Sequence, residues 1–183
     1  MTVHRRAVFL AALAAGVAAS EGASAAPSAR EIDRDATAAL NRLYASEPAA
    51  RDLGEKAVAI LVFPEVVKAG LMIGGELGYG ALKRGERTVG YWRTHSVSYG
   101  LQAGAQTYSY VLFLMSEEAV RWLDRSDGWE IGSGPSVVVL DTGAASRLTS
   151  TTLTQDVYGF VFGQSGLMAG LGLTGTKISR YRP

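Results

Sequence analysis

The sequence predicts an α+β fold in which N-terminal helices pack on a strongly curved antiparallel β-sheet or a closed β-barrel of about six to eight strands. Helical periodicity is concentrated in residues 29–56, whereas most of the later chain consists of alternating or continuous apolar runs. Glycine accounts for 22 of the 183 residues, about 12% against a usual ~7%. Because most of these glycines lie inside strand-like runs, sharply bent strands explain them best.

The first 25 residues are predicted to be a secretory signal peptide. A basic start over residues 1–6 precedes an apolar run over residues 7–19, and residues 23–25 fit a small-residue cleavage site. Two adjacent arginines bring the segment close to a twin-arginine signal, so this route and the general export route both stay open. We therefore expect residues 26–183 to form one domain in the periplasm or cell envelope, peripheral to the membrane.

The charge balance gives no bulk attraction for nucleic acid. Removal of residues 1–25 takes away two arginines and one glutamate, which lowers Lys+Arg from 18 to 16 and Asp+Glu from 17 to 16. The remaining chain is neutral, so recognition of a charged partner requires a local cluster. Because the chain has no cysteine, we expect neither disulfides nor a lipoprotein anchor. No apolar run of 18 or more residues follows the signal.

Residues 29–56 are predicted to form two helices that pack on the sheet. Ser46 is expected to cap the second, short helix, with Pro48 in its first turn. The first helix, over residues 29–45, has charged residues largely on one side and apolar residues at helical spacing on the other. These apolar positions are Ile32, Ala36, Ala39, Leu40 and Leu43.

A long β-hairpin is predicted in the middle of the chain. Residues 70–82 and residues 88–100 form its arms, and a short turn with one glycine joins them. Lys83, Arg84 and Arg87 place three positive charges at the tip. In the first arm one face carries bulky side chains and the other is nearly bare, which would let a ligand approach the backbone. Gly74, Gly78 and Gly80 lie on this face, and with Gly75 they are the glycines expected to lie near a ligand.

The other strands flank the hairpin and follow it. Residues 57–63, closed by Pro64, and residues 110–115 are short apolar runs that predict buried strands. Residues 157–178 repeat the glycine-rich strand pattern, so we expect the two glycine-rich regions to close one curved sheet. Further predicted elements are a helix over residues 119–125 capped by Ser116, a strand over residues 135–140 and a loop over residues 141–145.

No constellation for catalysis or cofactor binding emerges from the sequence. After the signal, His95 is the only histidine, and residues 163–166 miss the GxSxG nucleophile elbow by one position. Residues 170–175 match GxGxxG but lack the following helix and βαβ unit of a dinucleotide site. No acidic or histidine group has metal-ligand spacing. We therefore expect a protein that is not an enzyme and needs no cofactor or metal.

Several glycine-containing motifs occur in a fixed order and resemble the SYLF lipid-binding domain family. The resemblance covers roughly residues 40–180. Members of this family in bacteria are exported proteins, and eukaryotic members bind phosphoinositides. The motifs are Phe63-Pro64-x-Val66-x-Lys68-Ala69-Gly70, Ile73-Gly74-Gly75-x-x-Gly78-x-Gly80, Gly100-Leu101-Gln102-x-Gly104-Ala105-Gln106, Ser126-Asp127-Gly128-Trp129 and Val161-Phe162-Gly163-Gln164-x-Gly166-Leu167-Met168-Ala169-Gly170.

The resemblance implies a non-enzymatic module that binds an anionic membrane phospholipid. Lys68, Lys83, Arg84 and Arg87 would then meet phosphate oxygens, and the bare glycine backbone would lie near the ligand. Two alternatives stay open. The hairpin tip is a solvated turn and the glycines serve curvature alone, or the whole chain is a soluble protein-interaction or structural module without a lipid ligand.

Overall fold

The computed structural model describes residues 26–125, 127–140, 153–166, 173 and 175–183 of the chain. The predicted signal peptide and the predicted loop over residues 141–145 lie outside these ranges. The described elements are α1 (Ala29–Ser46), α2 (Pro48–Lys56), β1 (Ala59–Arg84), β2 (Arg87–Leu114), α3 (Glu117–Leu123), β3 (Trp129–Glu130), β4 (Val137–Leu140), β5 (Val157–Gly166) and β6 (Lys177–Tyr181).

The sheet is built around the long β1–β2 hairpin. One edge of β2 pairs antiparallel with β1, and its other edge pairs antiparallel with both β5 and β6. β5 lies beside residues 106–114 of β2, whereas β6 lies beside residues 91–95. β3 extends the sheet antiparallel to β6, and β4 pairs in parallel with β5. The predicted α+β class and the curved, mainly antiparallel sheet are confirmed, with β4–β5 as a parallel pair.

The hairpin is much longer than predicted because each arm continues into the neighbouring apolar run. β1 passes through Pro64, which the sequence analysis wrongly took as the end of a separate strand. A register shift between Phe63 and Val66 accommodates the proline, and no strand of the described residues other than β2 pairs with β1. An edge and a bulge are the two places where a strand tolerates proline. The Ser109 hydroxyl donates a hydrogen bond of 2.6 Å to the Pro64 carbonyl and ties the bulge to β2.

The hairpin folds back on itself, so that the second half of β1 passes close to the first half. A Cβ atom on Gly80 would lie 2.4 Å from the carbonyl oxygen of Val62 and 2.7 Å from the Phe63 ring. At Gly78 a Cβ atom would lie 2.7 Å from the Val66 side chain. These distances leave no room for any side chain. Glycine is therefore required where the two halves of the strand meet.

Two hydrophobic layers lie on opposite faces of the folded sheet. The interior layer contains large aromatic side chains, with Trp92 donating to the Leu123 carbonyl at 3.1 Å. The outer layer packs under α1 and α2. The largest fully buried interior side chains are Trp92, Trp129, Tyr108, Tyr110, Phe63, Leu61, Leu112 and Leu114; the helices contribute Ile32, Ala36, Ala39, Leu40, Leu43, Ala50 and Leu53 to the outer layer.

The helix boundaries follow local capping chemistry. Ser28 and Glu31 form a capping box at the start of α1. Ser116 caps α3 as predicted, accepting a hydrogen bond from the Ala119 amide at 3.1 Å. The predicted cap of α2 is wrong, because α1 continues through Ser46, whose hydroxyl donates to carbonyls of its own last turn. Pro48 then begins α2, whose N-cap residue is Glu47.

The close approach inside β1 can be tested by one methyl group. We expect Gly80→Ala to lower the free energy of unfolding by about 2–3 kcal/mol, since the added atom overlaps a carbonyl oxygen and an aromatic ring. Gly75→Ala is the matched control, because the nearest atom to its Cβ would be the Ser96 carbonyl oxygen at 3.9 Å. Urea unfolding measures both. Equal stability of the two variants would show that the fold does not depend on this contact.

Candidate functional site

The hairpin tip does not present its three cations together to solvent. The turn consists of Gly85, at φ +59°, and Glu86. Lys83 is only 6% exposed and lines a cavity of about 850 Å³ beside α1 and α2. Arg84 forms a two-pronged ion pair with Glu117 at 2.7 and 2.8 Å, which lowers the pKa of that carboxyl. Arg87 is the member of the predicted trio that is exposed without an ion pair in the described part of the chain.

Lys68, the fourth predicted lipid contact, lies on a different part of the hairpin. It pairs in register with Gln106 and is half-buried. Its charge acts on Glu76, a carboxyl that is only 5% exposed. Burial raises the pKa of Glu76, against the smaller opposing effects of Tyr108, Lys68 and Ser96. Lys68 therefore interacts with the buried Glu76 carboxyl and does not belong to the hairpin tip.

A group of buried polar atoms surrounds Glu76 on the interior side of the sheet. Burial and the neighbouring Glu76 charge raise the pKa of Tyr108, and Ser96 donates a long hydrogen bond of 3.5 Å to Glu76. Groups of this kind ordinarily bind partners or ordered water. Within the described ranges, the side-chain atoms here without a protein hydrogen-bond partner are Glu76 Oε1, Thr94 Oγ1, Gln106 Oε1 and the Tyr110 hydroxyl oxygen.

The four glycines predicted to admit a ligand have different surroundings. Gly78 and Gly80 face the chain's own atoms, as described above. Gly74 lies where β1 bends back towards Gly70. A Cβ atom added to Gly70 would be 2.3 Å from the Gly74 Cα atom. Gly75 is exposed and has open space above it. Gly78 and Gly80 thus leave no room for a partner at these contacts, whereas Gly75 has open space above it.

Gly75 lies in an exposed apolar surface that the sequence analysis did not single out. Ile73 is 63% exposed, Leu77 47% and Val97 66%. Gly75 pairs directly with Val97, and Leu77 pairs with His95, so these side chains share one face of the hairpin. We call Ile73, Leu77 and Val97 the apolar face. The alternation of residues in the sequence indicated that one side of the first hairpin arm is bulky. It did not indicate that this side faces away from the hydrophobic core.

Basic residues border the apolar face along β2 and β6. Lys177 pairs with His95, and Arg93 occupies the next position along the same side of β2. The pKa of His95 is lowered by burial, then by the positive charges of Arg93 and Lys177. We call Arg93, His95 and Lys177 the basic band. Apolar side chains beside cations are the combination found on surfaces that dock at a lipid interface.

A separate basic depression of about 690 Å³ lies where β6 ends. Arg93 forms part of its wall as well as of the basic band. The other charged residues that line it are Asp124, Arg125, Arg180 and Arg182. This group draws on β2, the end of α3 and β6, so no short stretch of sequence could have indicated it.

A comparison with known protein families finds a match over part of the chain. The family model described as Ysc84, Las17-binding protein actin regulator, matches residues 95–182. Residues 95–182 are therefore similar to the Ysc84 family, which is the SYLF family. The predicted resemblance is thus confirmed over the second half of the chain, which contains part of β2, α3 and β3–β6. A search among curated proteins finds no match for the chain.

Similarity of residues 95–182 to the Ysc84 family supports a binding domain, related in general to lipid binding or actin regulation. Within the described ranges, no group of three or more potential metal-ligating side chains comes together. None of the helices there has the length and apolar character needed to cross a membrane. Two surfaces of the described residues combine exposure with positive charge and are considered for binding: the apolar face with its basic band, and the basic depression.

The buried Glu76 gives a prediction for stability against pH. Because its pKa is raised on folding, its carboxyl stabilises the fold below the unfolded-state pKa, and this contribution is lost as pH rises through the folded-state pKa. We expect Glu76→Gln to be more stable than the parent at pH 7, with a free energy of unfolding that is higher by on the order of 1 kcal/mol. Near pH 4 this advantage of the variant should disappear.

Denaturant unfolding at both pH values measures this effect. Exposed Glu65→Gln on the same strand is the control, for which we expect little change at either pH. A Glu76→Gln protein that is less stable than the parent at pH 7 would show that the ionised carboxylate is held by favourable partners instead.

Proposed function

We propose that this protein binds the surface of anionic phospholipid bilayers in the cell envelope, peripherally and without catalysing a reaction. The observation that carries the proposal is the apolar face beside the basic band. Ile73, Leu77 and Val97 are each about half exposed or more, although all three are strand residues of strongly apolar type. Similarity of residues 95–182 to the Ysc84 family supports lipid binding in general. The choice of anionic lipid comes from the charge of the band.

The magnitudes suit reversible attachment. Full burial of an aliphatic side chain is worth about 1.5–3 kcal/mol, and these three are already partly covered, so each adds less. Every cation close to an anionic bilayer adds about 1 kcal/mol. Together, three apolar side chains and the cations Arg93 and Lys177 provide a few kcal/mol. This amount is enough for peripheral binding that salt can reverse.

Lipid binding by the hairpin tip stays a prediction. Lys83 is buried and Arg84 is held by Glu117, so Arg87 is its readily available cation. The second open alternative is a protein-interaction module that binds no lipid. An exposed apolar sheet face also suits a protein partner, and the two functions separate in a binding assay with pure lipid.

Removal of the apolar face is expected to weaken bilayer binding. We expect Ile73→Thr/Val97→Thr to reduce co-sedimentation with phosphatidylglycerol-containing vesicles about tenfold, because two side chains lose apolar area that would be buried. Threonine keeps the preference for a strand. The control is Val89→Thr/Val139→Thr, which changes two strand valines outside the apolar face that are 42% and 44% exposed and should bind as the parent does.

Three further results of the assay decide whether the protein binds the bilayer and through which surface. Binding of the parent should fall between 0.1 M and 1 M salt as the Debye length shortens from about 10 Å to about 3 Å. If Arg87→Gln abolishes binding and the apolar-face variant does not, the site is the hairpin tip. A folded parent that ignores anionic vesicles at low salt would favour the protein-interaction module.

A further inference from the structure

A cavity of about 850 Å³ lies beside the hairpin tip and the two N-terminal helices. Residues of α1, α2 and the end of β1 form its wall, and the buried side chains of Leu40 and Ile60 make part of that wall apolar. We call it the tip cavity. Its volume lies within the size range of small-ligand sites. The charged residues that line it are Arg51, Glu55, Lys83 and Glu86.

Lys83 is a buried cation without an ionic partner in the described part of the chain. Only 6% of the residue is exposed, and none of the ion pairs among the described residues includes it. Lysine is almost never fully buried unless it is paired, because an ammonium group that leaves water without a counter-ion costs free energy. An anion that enters the tip cavity would supply the missing partner.

Tyr44 provides a second hydrogen-bond donor on the same wall. Its ring stacks on Phe113 with 6.5 Å between the centroids, and a Cβ atom on Gly54 would overlap its hydroxyl group. These contacts hold the hydroxyl in a fixed place. Burial raises the pKa of Tyr44, an effect that the charge of Arg51 opposes and that of Glu55 increases. The hydroxyl therefore stays protonated and can donate to an anion.

The rim of the tip cavity has the opposite charge balance. Arg51, Glu55 and Glu86 are all exposed, and none of them belongs to an ion pair within the described ranges. Two carboxylates against one guanidinium make the rim weakly acidic, whereas the buried wall carries the single positive charge of Lys83. This pattern disfavours a dianion. It is complementary to a ligand with one negative charge at its inner end and a positive charge at its outer end.

We propose that the tip cavity binds a short zwitterionic peptide, with its terminal carboxylate on Lys83 and Tyr44 and its terminal ammonium towards the acidic rim. A carboxylate carries the single charge that one lysine neutralises, and it accepts hydrogen bonds from both donors. The Asn41 amide on α1 also lines the cavity and can donate to and accept from a peptide group. An extended tripeptide is roughly 10 Å long, a length that suits a cavity of about 850 Å³.

Isothermal titration calorimetry with trialanine tests the site. We expect Lys83→Met to weaken trialanine binding about tenfold or more, because a charged hydrogen bond to the carboxylate is lost. For the same reason the parent should bind the C-terminal amide of trialanine about tenfold more weakly than trialanine itself. The matched control is Lys56→Met, which changes an exposed lysine of α2 outside the cavity lining and should bind as the parent does.

The melting temperature of the ligand-free variants separates a binding role of Lys83 from a structural one. Lys83→Met replaces a buried, unpaired ammonium group by an apolar side chain of similar length, so the melting temperature should stay level or rise. If Lys83→Met does not fold, two measurements on folded protein decide the question. Tyr44→Phe should bind trialanine more weakly than the parent, and equal affinity of the parent for trialanine and its amide refutes the site.

This site goes beyond the proposed bilayer binding and uses none of the residues of the apolar face or the basic band, so the two proposals fail separately. Lys83→Met should still co-sediment with phosphatidylglycerol-containing vesicles, and Ile73→Thr/Val97→Thr should still bind trialanine. A parent that does not bind trialanine, or that loses it to an equal concentration of inorganic phosphate, refutes the peptide site. If Lys83→Met loses bilayer binding and keeps trialanine binding, the peptide proposal is wrong and Lys83 serves the bilayer.

Discussion

The contact between the two halves of β1 determines much else in the molecule. Gly80 against Val62 and Phe63 lets the hairpin fold back until backbone meets side chain. This folding encloses the interior layer around Trp92 and turns the opposite side of the hairpin outward. Near the tip α1 covers that outer side, but towards the bend Ile73 and Val97 stay exposed. A packing constraint in the interior thus creates the surface to which we assign binding.

Features set by neighbouring residues could be predicted from the sequence. The periodicity of α1, the Ser116 cap and the turn at Gly85 were of this kind, and so was the curved sheet that glycine within strands implies. The continuity of β1 through Pro64 could not be read in the same way. A proline argues against a central strand, and here the tertiary arrangement accommodates it: a bulge tied to β2 by Ser109, in a strand that pairs only with β2 among the described strands.

The environments of the charged residues likewise depend on tertiary structure and could not be predicted from sequence neighbours. Lys83, Arg84 and Arg87 are close in sequence, yet folding buries one and pairs another with Glu117. Arg93 and Arg182 are far apart in sequence, yet β6 pairing beside β2 brings both to one depression. In a chain with 18 basic and 17 acidic residues, the local field depends on which charges folding leaves unpaired. Sequence spacing cannot supply that information when the partners lie on different elements.

The tip and the apolar face are far enough apart to act independently. Arg87 and Val97 are separated by ten positions of one strand, which at about 3.3 Å per residue corresponds to roughly 33 Å along an extended chain. Sheet curvature shortens this distance, but β2 runs unbroken in pairing with β1 over most of that length. Measured along the strand, this separation is longer than the ~10 Å Debye length at 0.1 M salt. Charge changes at the tip therefore leave the potential at the apolar face nearly unaltered, and a bilayer that touches Ile73 and Val97 gains little from Arg87 unless the hairpin lies flat against it.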